Sequence, residues 1–144
     1  MTLPVLLDVD GVLADFMTAL IQATDCAVSR DDITDWDVFA IFDEYGKKEE
    51  ALTACSDPQF WRALPLVAGA QAAVEKLRRK HRVMFLTSPW DQCNEWGASR
   101  YRWLREHFEA GIEDVAIARD KQFHMGLCLV DDRPYNINNW ARQN

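Results

Sequence analysis

The feature of this sequence that most constrains its fold is a set of short apolar runs separated by segments with helical spacing. Residues 3–9 form a nearly continuous apolar run, which is typical of a strand buried on both faces of a parallel sheet. Residues 82–87, 115–118 and 126–131 are predicted as three further strands. Because helical segments alternate with these strands, we expect β-α-β units with right-handed crossovers. The sequence therefore predicts an α/β fold built on a parallel sheet flanked by helices.

Amphipathic helices are predicted between the strands. The segments with helical spacing are residues 12–23, 69–80 and 99–108. The first is predicted to start beside Gly11, where backbone N–H groups would add donors for a bound anion. In the last, Tyr101, Leu104 and Phe108 fall on one stripe.

Residues 24–58 differ from the rest of the chain. They combine many Asp and aromatic residues with short helical patterns, and Ser56-Asp57-Pro58 breaks the chain. We interpret this segment as a small helical cap inserted after the first strand–helix unit. The remaining residues, 1–23 and 59–144, then form the α/β core.

Composition and charge exclude several classes of protein. Apolar residues make up 49% of the 144 residues, which is too many for a disordered chain. No apolar stretch reaches the roughly 20 residues of a membrane-spanning helix, and the N-terminus lacks a secretory signal pattern. The net charge of −7 argues against binding a nucleic-acid polymer, because proteins that bind the phosphate backbone are usually basic. We therefore expect a cytoplasmic protein that engages neither membranes nor nucleic-acid polymers.

The cysteines do not indicate a zinc site or a disulfide framework. Cys26, Cys55, Cys93 and Cys128 include no C-x-x-C pair, and the three histidines are scattered among them. Disulfides are rare in proteins that are not secreted. We expect four reduced thiols, most of them packed as small apolar groups.

Polar residues follow the predicted strands at their carboxyl ends, where open parallel sheets bind their ligands. Carboxylates that lie close together repel one another unless a cation or a proton intervenes. All-oxygen ligands suit a hard metal ion, and Mg²⁺ with a phosphate is the usual arrangement. The residues that we expect to converge at this edge are Asp8 and Asp10, Thr87 and Ser88, Lys121, and Asp131 and Asp132.

The pattern Asp8-Val-Asp-Gly-Val12 resembles the first motif of the haloacid dehalogenase superfamily of phosphotransferases. Thr87, Lys121 and Asp131-Asp132 resemble its second, third and fourth motifs, in the family's order. Longer segments resemble the 5'(3')-deoxyribonucleotidases of that superfamily and together span nearly the whole chain, although the insert matches poorly. These segments are residues 8–16, 65–70, 85–89, 101–108, 119–121 and 129–134. The resemblance implies a Rossmann-like core.

The resemblance also implies an enzyme, a Mg²⁺-dependent phosphatase that hydrolyses (deoxy)ribonucleoside 5'-monophosphates to nucleoside and phosphate. Asp8 would be the nucleophile that forms an aspartyl-phosphate, and Asp10 would be the general acid and base. Thr87, Ser88 and Lys121 would bind the phosphate. The metal ligands would be Asp8, the backbone carbonyl of Asp10, Asp131 and Asp132.

Aromatic side chains are candidates for contact with a nucleobase. The family resemblance implies this role for Phe16, six residues after the second Asp of the first motif. Trp36 and Trp61 lie in the insert or just after it, where a lid over a nucleoside would be built, so we predict them as further base contacts. Asp15 is either a surface acid or a support for the site, and Arg133 either braces the acidic turn beside it or contacts substrate.

Two alternative functions stay open. One is a phosphatase of the same superfamily that acts on another small phosphate ester, such as a sugar phosphate. The other is a non-enzymatic signalling module that accepts a phosphoryl group, because such modules also place acidic residues, a Thr or Ser and a Lys on a parallel sheet. In those modules the acidic pair follows the first strand, whereas here it comes last, which favours an enzyme.

The sequence leaves several properties of the substrate and assembly open. These are the preferred base, ribose against deoxyribose, the 5' or 3' position of the phosphate, and whether the chain forms a homodimer. The chain ends 12 residues after Asp132, where longer members of the resembled family continue through another strand and helix. We therefore expect either an open sheet edge or an exposed interface.

Overall fold

A four-stranded parallel sheet lies at the centre of the computed structural model, which describes residues 2–34 and 37–144. The strands are β1 (Val5–Leu7), β2 (Val83–Thr87), β3 (Val115–Ile117) and β4 (Cys128–Val130). They lie in the order β3-β2-β1-β4, and all three pairings between neighbours are parallel. The prediction of an α/β fold with a parallel, Rossmann-like sheet is confirmed.

Helices occupy most of the chain between and after the strands. They are α1 (Phe16–Thr24), α2 (Val38–Glu44), α3 (Lys48–Ser56), α4 (Pro58–Arg62), α5 (Ala70–Arg78), α6 (Trp96–Phe108) and α7 (Pro134–Gln143). Short 3₁₀ turns lie at Arg30–Asp32, Ile112–Asp114 and Lys121–Phe123. No helix in the described ranges is both long and apolar enough to cross a membrane.

The two faces of the sheet carry separate apolar cores because side chains alternate along each strand. Val5 and Leu7 of β1 belong to the larger core, whereas Leu6 between them belongs to a smaller core on the opposite face. Ile137 and Trp140 of α7 pack against this smaller core. Strand β1 is therefore buried on both faces, as its continuous apolar run predicts. The sequence did not predict α7, because the two residues that it packs on the sheet, Ile137 and Trp140, stand among polar residues.

Helix α1 begins four residues later than predicted because Asp15 caps it. One carboxylate oxygen of Asp15 accepts a hydrogen bond from the backbone N–H of Thr18 at 3.3 Å, and the other accepts from its hydroxyl at 2.8 Å. The cap places Phe16 at the first position of the helix.

Residues 11–14 form a turn between β1 and α1. The backbone N–H groups of residues 12–14 donate to the carbonyl of Val9, and the N–H of Gly11 donates to the carbonyl of Ala14. The N–H groups of residues 11–14 are therefore bonded within the turn. Anion binding by backbone N–H groups around Gly11 stays a prediction.

Helix α6 also differs from the prediction. It begins at Trp96, three residues early, and of the three residues on the predicted stripe Leu104 and Phe108 are buried whereas Tyr101 is half-buried. The residues that α6 buries are Trp96, Ser99, Arg100, Trp103, Leu104 and Phe108. An arginine thus lies within the buried stripe of this helix, a position that side chains of this type almost never take unless they are paired.

The insert packs against the core through apolar side chains that belong to the larger core. Helix α3 contacts α1 and α2, and Phe42, Ala51 and Cys55 are completely buried in the larger core. The four cysteines are all free thiols, and three of them are buried. They pack as small apolar groups, as expected.

Candidate active site

The carboxyl ends of the strands bring the predicted polar residues to one edge of the sheet. Asp8 follows β1, Thr87 ends β2 and Asp131 follows β4. Lys121 reaches the same edge from the 3₁₀ turn after β3, and its Nζ lies 2.6 Å from Asp8 Oδ1 and 2.6 Å from Asp131 Oδ2. Because Lys121 is only 2% exposed, it is a buried cation that donates to two carboxylates at once.

Three carboxylates at this edge are close enough to share one metal ion. Oxygen atoms of Asp8, Asp131 and Asp132 lie within 4.8 Å of one another. Gly11 makes room for this cluster, because a Cβ there would lie 1.9 Å from Asp132 Oδ2, and its φ of +81° is also a conformation that favours glycine. Such an all-oxygen donor set fits a hard divalent cation.

Asp8 and Asp132 both titrate above the ordinary range of a carboxyl group. Burial raises the pKa of Asp8 to about 7; Lys121 opposes this shift, whereas the negative charges of Asp131 and Asp10 add to it. Partial burial raises the pKa of Asp132 to about 6, and Asp131 adds to this shift as well. A divalent cation would favour the ionised forms of both groups. The cluster can therefore exchange protons for a metal ion near neutral pH.

The side chain of Asp131 is held in place from three directions. Besides Lys121, Asn136 Nδ2 donates to both of its carboxylate oxygens at 3.0 Å, and the backbone N–H of Arg133 donates to Oδ1 at 2.9 Å. Arg133 thus braces the acidic turn through its backbone, and the residue also lines the cavity described below. Sequence reasoning missed Asn136; its signal is an amide in the first turn of a helix that follows the acidic pair.

Thr87 and Ser88 provide hydroxyl groups at the end of β2. Thr87 is fully buried, and its Oγ1 has no hydrogen-bond partner within the described residues. Buried hydroxyls normally have a partner, so this oxygen is available to a ligand that enters the site. Ser88 is half-buried and lines the cavity directly.

Asp10 has a different cationic partner from Asp8. Arg100 Nη2 lies 2.7 Å from Asp10 Oδ1 and 2.6 Å from Oδ2. The side chain of Arg100 is completely buried, whereas that of Asp10 is 31% exposed and lines the cavity. Sequence reasoning missed Arg100 as well, although a basic residue four positions after Trp96 and three before Trp103 is a readable signal on an otherwise apolar stripe.

A cavity of about 340 Å³ opens between this sheet edge and the insert. Its volume lies in the range of about 300 to 1,000 Å³ that is typical of small-molecule sites. The sheet edge contributes the carboxylates, Ser88 and Lys121. The insert contributes Arg30, Ile33, Thr34 and Val38, none of which the sequence singled out.

The predicted aromatic residues lie in different places. Phe16 lines the cavity from the start of α1. Trp61 is 3% exposed and lies behind Phe16, with the two rings stacked at 5.6 Å and an angle of 17°; it is not among the cavity-lining residues. Trp36 lies outside the described residues. A role for Trp61 or Trp36 in base contact stays a prediction.

Asp15 and Arg30 connect the core to the insert beside the cavity. Arg30 Nε lies 3.2 Å from Asp15 Oδ1, and Arg30 is half-exposed. The carboxylate of Asp15 therefore has two roles, since it caps α1 and pairs with a cation of the insert. Asp15 is therefore a helix cap and an ion-pair partner, and a supporting role for the site stays a prediction.

Comparison of the sequence with known proteins identifies a family and several relatives. The sequence model of the family described as 5' nucleotidase, deoxy (pyrimidine), cytosolic type C protein (NT5C) matches residues 2–144. A protein of Bordetella bronchiseptica, named as a candidate 5'(3')-deoxyribonucleotidase, is 34% identical over 139 residues, which cover 90% of this chain and 74% of that protein. The mitochondrial 5'(3')-deoxyribonucleotidase of Mus musculus is 29% identical over 143 residues, which cover 92% of this chain and 65% of that protein.

Among solved structures, the magnesium-bound HAD-hydrolase YfnB from Bacillus subtilis matches with a TM-score of 0.44 and 17% identity, over 85% of this chain and 68% of that one. That likeness is too weak to support a statement about this chain. The family match covers almost the entire sequence and agrees with the order of motifs along the strands. The chain therefore belongs to the NT5C family of 5'-nucleotidases, which are hydrolases that act on phosphoric monoesters.

Proposed function

We propose that the chain is a Mg²⁺-dependent phosphatase that hydrolyses (deoxy)ribonucleoside 5'-monophosphates to nucleoside and phosphate. The observation that carries this proposal is the cluster in which Lys121 Nζ contacts Asp8 and Asp131 at 2.6 Å each, beside oxygens that can share a metal ion. The family match supports a nucleotide as the substrate. The name of its cytosolic type supports a cytoplasmic location.

Asp8 is proposed as the nucleophile. One of its carboxylate oxygens would attack phosphorus, and the bond between phosphorus and the nucleoside oxygen would break to leave an aspartyl-phosphate. Water would then attack this phosphorus, releasing inorganic phosphate and restoring the carboxylate. Because burial raises the pKa of Asp8 to about 7, the reaction needs nearby positive charge to keep it ionised.

Mg²⁺ would be held by Asp8, the backbone carbonyl of Asp10, Asp131 and Asp132, and would neutralise charge on the carboxylates and the phosphate. Lys121 would add a second positive charge where the transferring group is most negative. Thr87 and Ser88 would donate hydrogen bonds to phosphate oxygens, and the unpartnered Thr87 Oγ1 supports this assignment.

Asp10 is proposed as the general acid and base. It would donate a proton to the leaving nucleoside oxygen in the first step and remove one from the attacking water in the second. Its exposure to the cavity, two residues from Asp8 along the chain, supports this role.

The insert, residues 24–58, is proposed as a cap that covers the nucleoside. Ile33, Thr34 and Val38 would face the substrate from the insert, and Phe16 would stack on the base from the core. A cavity of about 340 Å³ admits a mononucleotide but excludes a folded phosphoprotein.

The test is phosphate release from a panel of deoxynucleoside and ribonucleoside 5'- and 3'-monophosphates and sugar phosphates, each with Mg²⁺ and with a chelator. We expect Mg²⁺-dependent turnover that is highest on 5'-nucleotides. High activity on a sugar phosphate with none on any nucleotide would assign the alternative substrate class. One equivalent of stable acyl-phosphate without turnover would instead indicate a signalling module.

A further inference from the structure

We propose that Arg100 is a positioning residue that fixes the carboxylate of Asp10 in the cavity wall and keeps it apart from the metal-binding oxygens. The proposal rests on the proposed function, in which Asp10 handles the proton of the leaving group. Arg100 itself does not line the cavity, so its effect on the reaction would be exerted through Asp10.

The contact between the two side chains is close. Arg100 Nη2 donates to Asp10 Oδ1 at 2.7 Å and to Oδ2 at 2.6 Å, so one nitrogen contacts both oxygens. Such charge-assisted hydrogen bonds are shorter and stronger than neutral ones. They tie an exposed carboxylate on the loop after β1 to the middle of α6, a rigid element of the core.

The surroundings of Arg100 hold its guanidinium in one place. The guanidinium carbon lies 5.5 Å from the ring centre of Trp61 and 5.3 Å from that of Trp96. Both rings are buried. The charge is therefore stabilised by two aromatic faces on the core side and by Asp10 on the cavity side.

Stability alone does not account for this arrangement. Arg100 is completely buried, and its Nε and Nη1 have no hydrogen-bond partner within the described residues. A buried ion pair with unsatisfied donors is often no more stable than apolar side chains of similar size. An arginine in this aromatic environment is better explained by what it does to Asp10.

The two carboxylates of the first motif have separate cations. Lys121 contacts Asp8 and Asp131, whereas Arg100 contacts Asp10. The group of oxygens that can share a metal ion includes Asp8 but not Asp10. Without Arg100, the side chain of Asp10 would be free to turn toward Lys121 or the metal site, where it could no longer reach the leaving group.

The experiment compares Arg100→Met, Arg100→Lys and the matched control Arg102→Met. Arg102 is on the same helix but is 63% exposed and pairs only with Glu106 in the described structure. First-turnover rates are measured with a deoxynucleoside monophosphate and with p-nitrophenyl phosphate, whose leaving group departs without a proton. Thermal unfolding of each variant is measured in parallel.

We expect Arg100→Met to lower the first-turnover rate on the nucleotide by about 10²-fold, the usual cost of a misplaced catalytic group. KM should change little, and nitrophenolate release should be nearly unaffected. Arg100→Lys should recover part of the rate, and Arg102→Met should behave as wild type. In an Asp10→Asn background, Arg100→Met should cause no further loss.

Equal losses on both substrates, or a further loss in the Asp10→Asn background, would overturn the proposal by making Arg100 a general structural residue. A nucleotide rate for Arg100→Met equal to that of wild type would overturn it as well. If Arg100→Met does not fold, Arg100→Lys decides by the same substrate comparison. Failure of the proposed function is distinguishable, because then the wild-type protein itself would not hydrolyse nucleotides.

Discussion

The cavity has two walls that differ in how their residues are positioned. One wall is the sheet edge, where Lys121 lies within hydrogen-bond distance of both Asp8 and Asp131 and all three side chains are almost completely buried. The other is the insert, where Arg30 is half-exposed and lies 3.2 Å from Asp15 of the core. The first wall is held by strand pairing and buried charge, whereas the second is held by apolar side chains packed into the larger core and, within the described residues, by this exposed ion pair.

We expect this difference to separate the residues that carry out the reaction from the residues that select the substrate. Groups that act on a phosphate must be held rigidly, because catalysis depends on small differences in geometry. Groups that contact the rest of a substrate tolerate more freedom and more variation. We therefore expect substitutions in the sheet edge to lower the reaction rate and substitutions in the insert to change apparent affinity.

The largest effect is expected at Asp8. Asp8→Asn removes the proposed nucleophile and should lower kcat by more than about 10³-fold, while the fold is kept. Phosphate release and circular dichroism measure the two properties. Asp91→Asn is the matched control, because Asp91 is 75% exposed and pairs with Arg119 on the surface. Turnover by Asp8→Asn within tenfold of wild type would show that Asp8 is not the nucleophile.

The next prediction concerns pH and metal ions. Because the folded protein raises the pKa of Asp8 to about 7 and that of Asp132 to about 6, it binds more protons than the unfolded chain between about pH 4 and pH 7. Without metal, the stability contributed by these two groups is present at low pH and is lost as the pH rises through that range. Mg²⁺ at a concentration of 100 times its Kd should raise the free energy of unfolding by about 2.7 kcal/mol.

Thermal unfolding at pH 5 and pH 8, with Mg²⁺ or with a chelator, measures this effect. The stabilisation by Mg²⁺ should be larger at pH 8, where protons no longer compete for the carboxylates. Asp8→Asn should raise the melting temperature of the metal-free protein at pH 8. A shift with Mg²⁺ that is the same at both pH values, or the same in Asp8→Asn, would contradict a metal site at the sheet edge.

A smaller effect on activity is expected at Phe16, which lines the cavity at the predicted position of the base. Phe16→Ala removes a stacking surface worth about 1–3 kcal/mol, so KM for a nucleotide should rise while kcat changes less. Phe39→Ala is the control, because its ring stacks on Trp90 and lies outside the cavity. An unchanged KM for Phe16→Ala would show that Phe16 does not stack on the base.

The smallest effect is expected at Arg30 in the insert. Exposed ion pairs contribute about 0–1 kcal/mol, so Arg30→Ala should raise KM by less than about fivefold and leave kcat unchanged. Arg119→Ala, on the surface beside Asp91, is the control. A large fall in kcat would contradict the contrast between the two walls, because it would make the insert part of the chemistry.

Most of the sheet edge could be predicted from the sequence, but little of the insert could. Apolar runs identify parallel strands, and parallel strands place their carboxyl ends at one edge, so Asp8, Thr87 and Asp131 had to lie near one another. Arg30 and Val38 reach the cavity through the packing of the insert on α1, which contacts both α3 and the 3₁₀ turn at Arg30–Asp32, and no local pattern encodes those contacts. Arg100 was missed because burial of an arginine is decided by its aromatic neighbours rather than by its own propensity.

The start of α1 is a second feature that the sequence predicts only in part. The helical spacing begins at residue 12, but the Asp15 carboxylate captures the N–H of Thr18 and delays the helix to Phe16. The sequence contains both signals, and only the folded chain shows which one is used.

By itself, the sequence determined the class of the fold, the order of the motifs and the family, because strand periodicity and strand-end carboxylates are local properties of the chain. Tertiary structure alone decided that Lys121 contacts Asp8 while Arg100 contacts Asp10, that Trp61 lies behind Phe16, and that the insert forms a cavity wall. The physical reason is that the partner of a buried charge or ring depends on which distant segments fold against it.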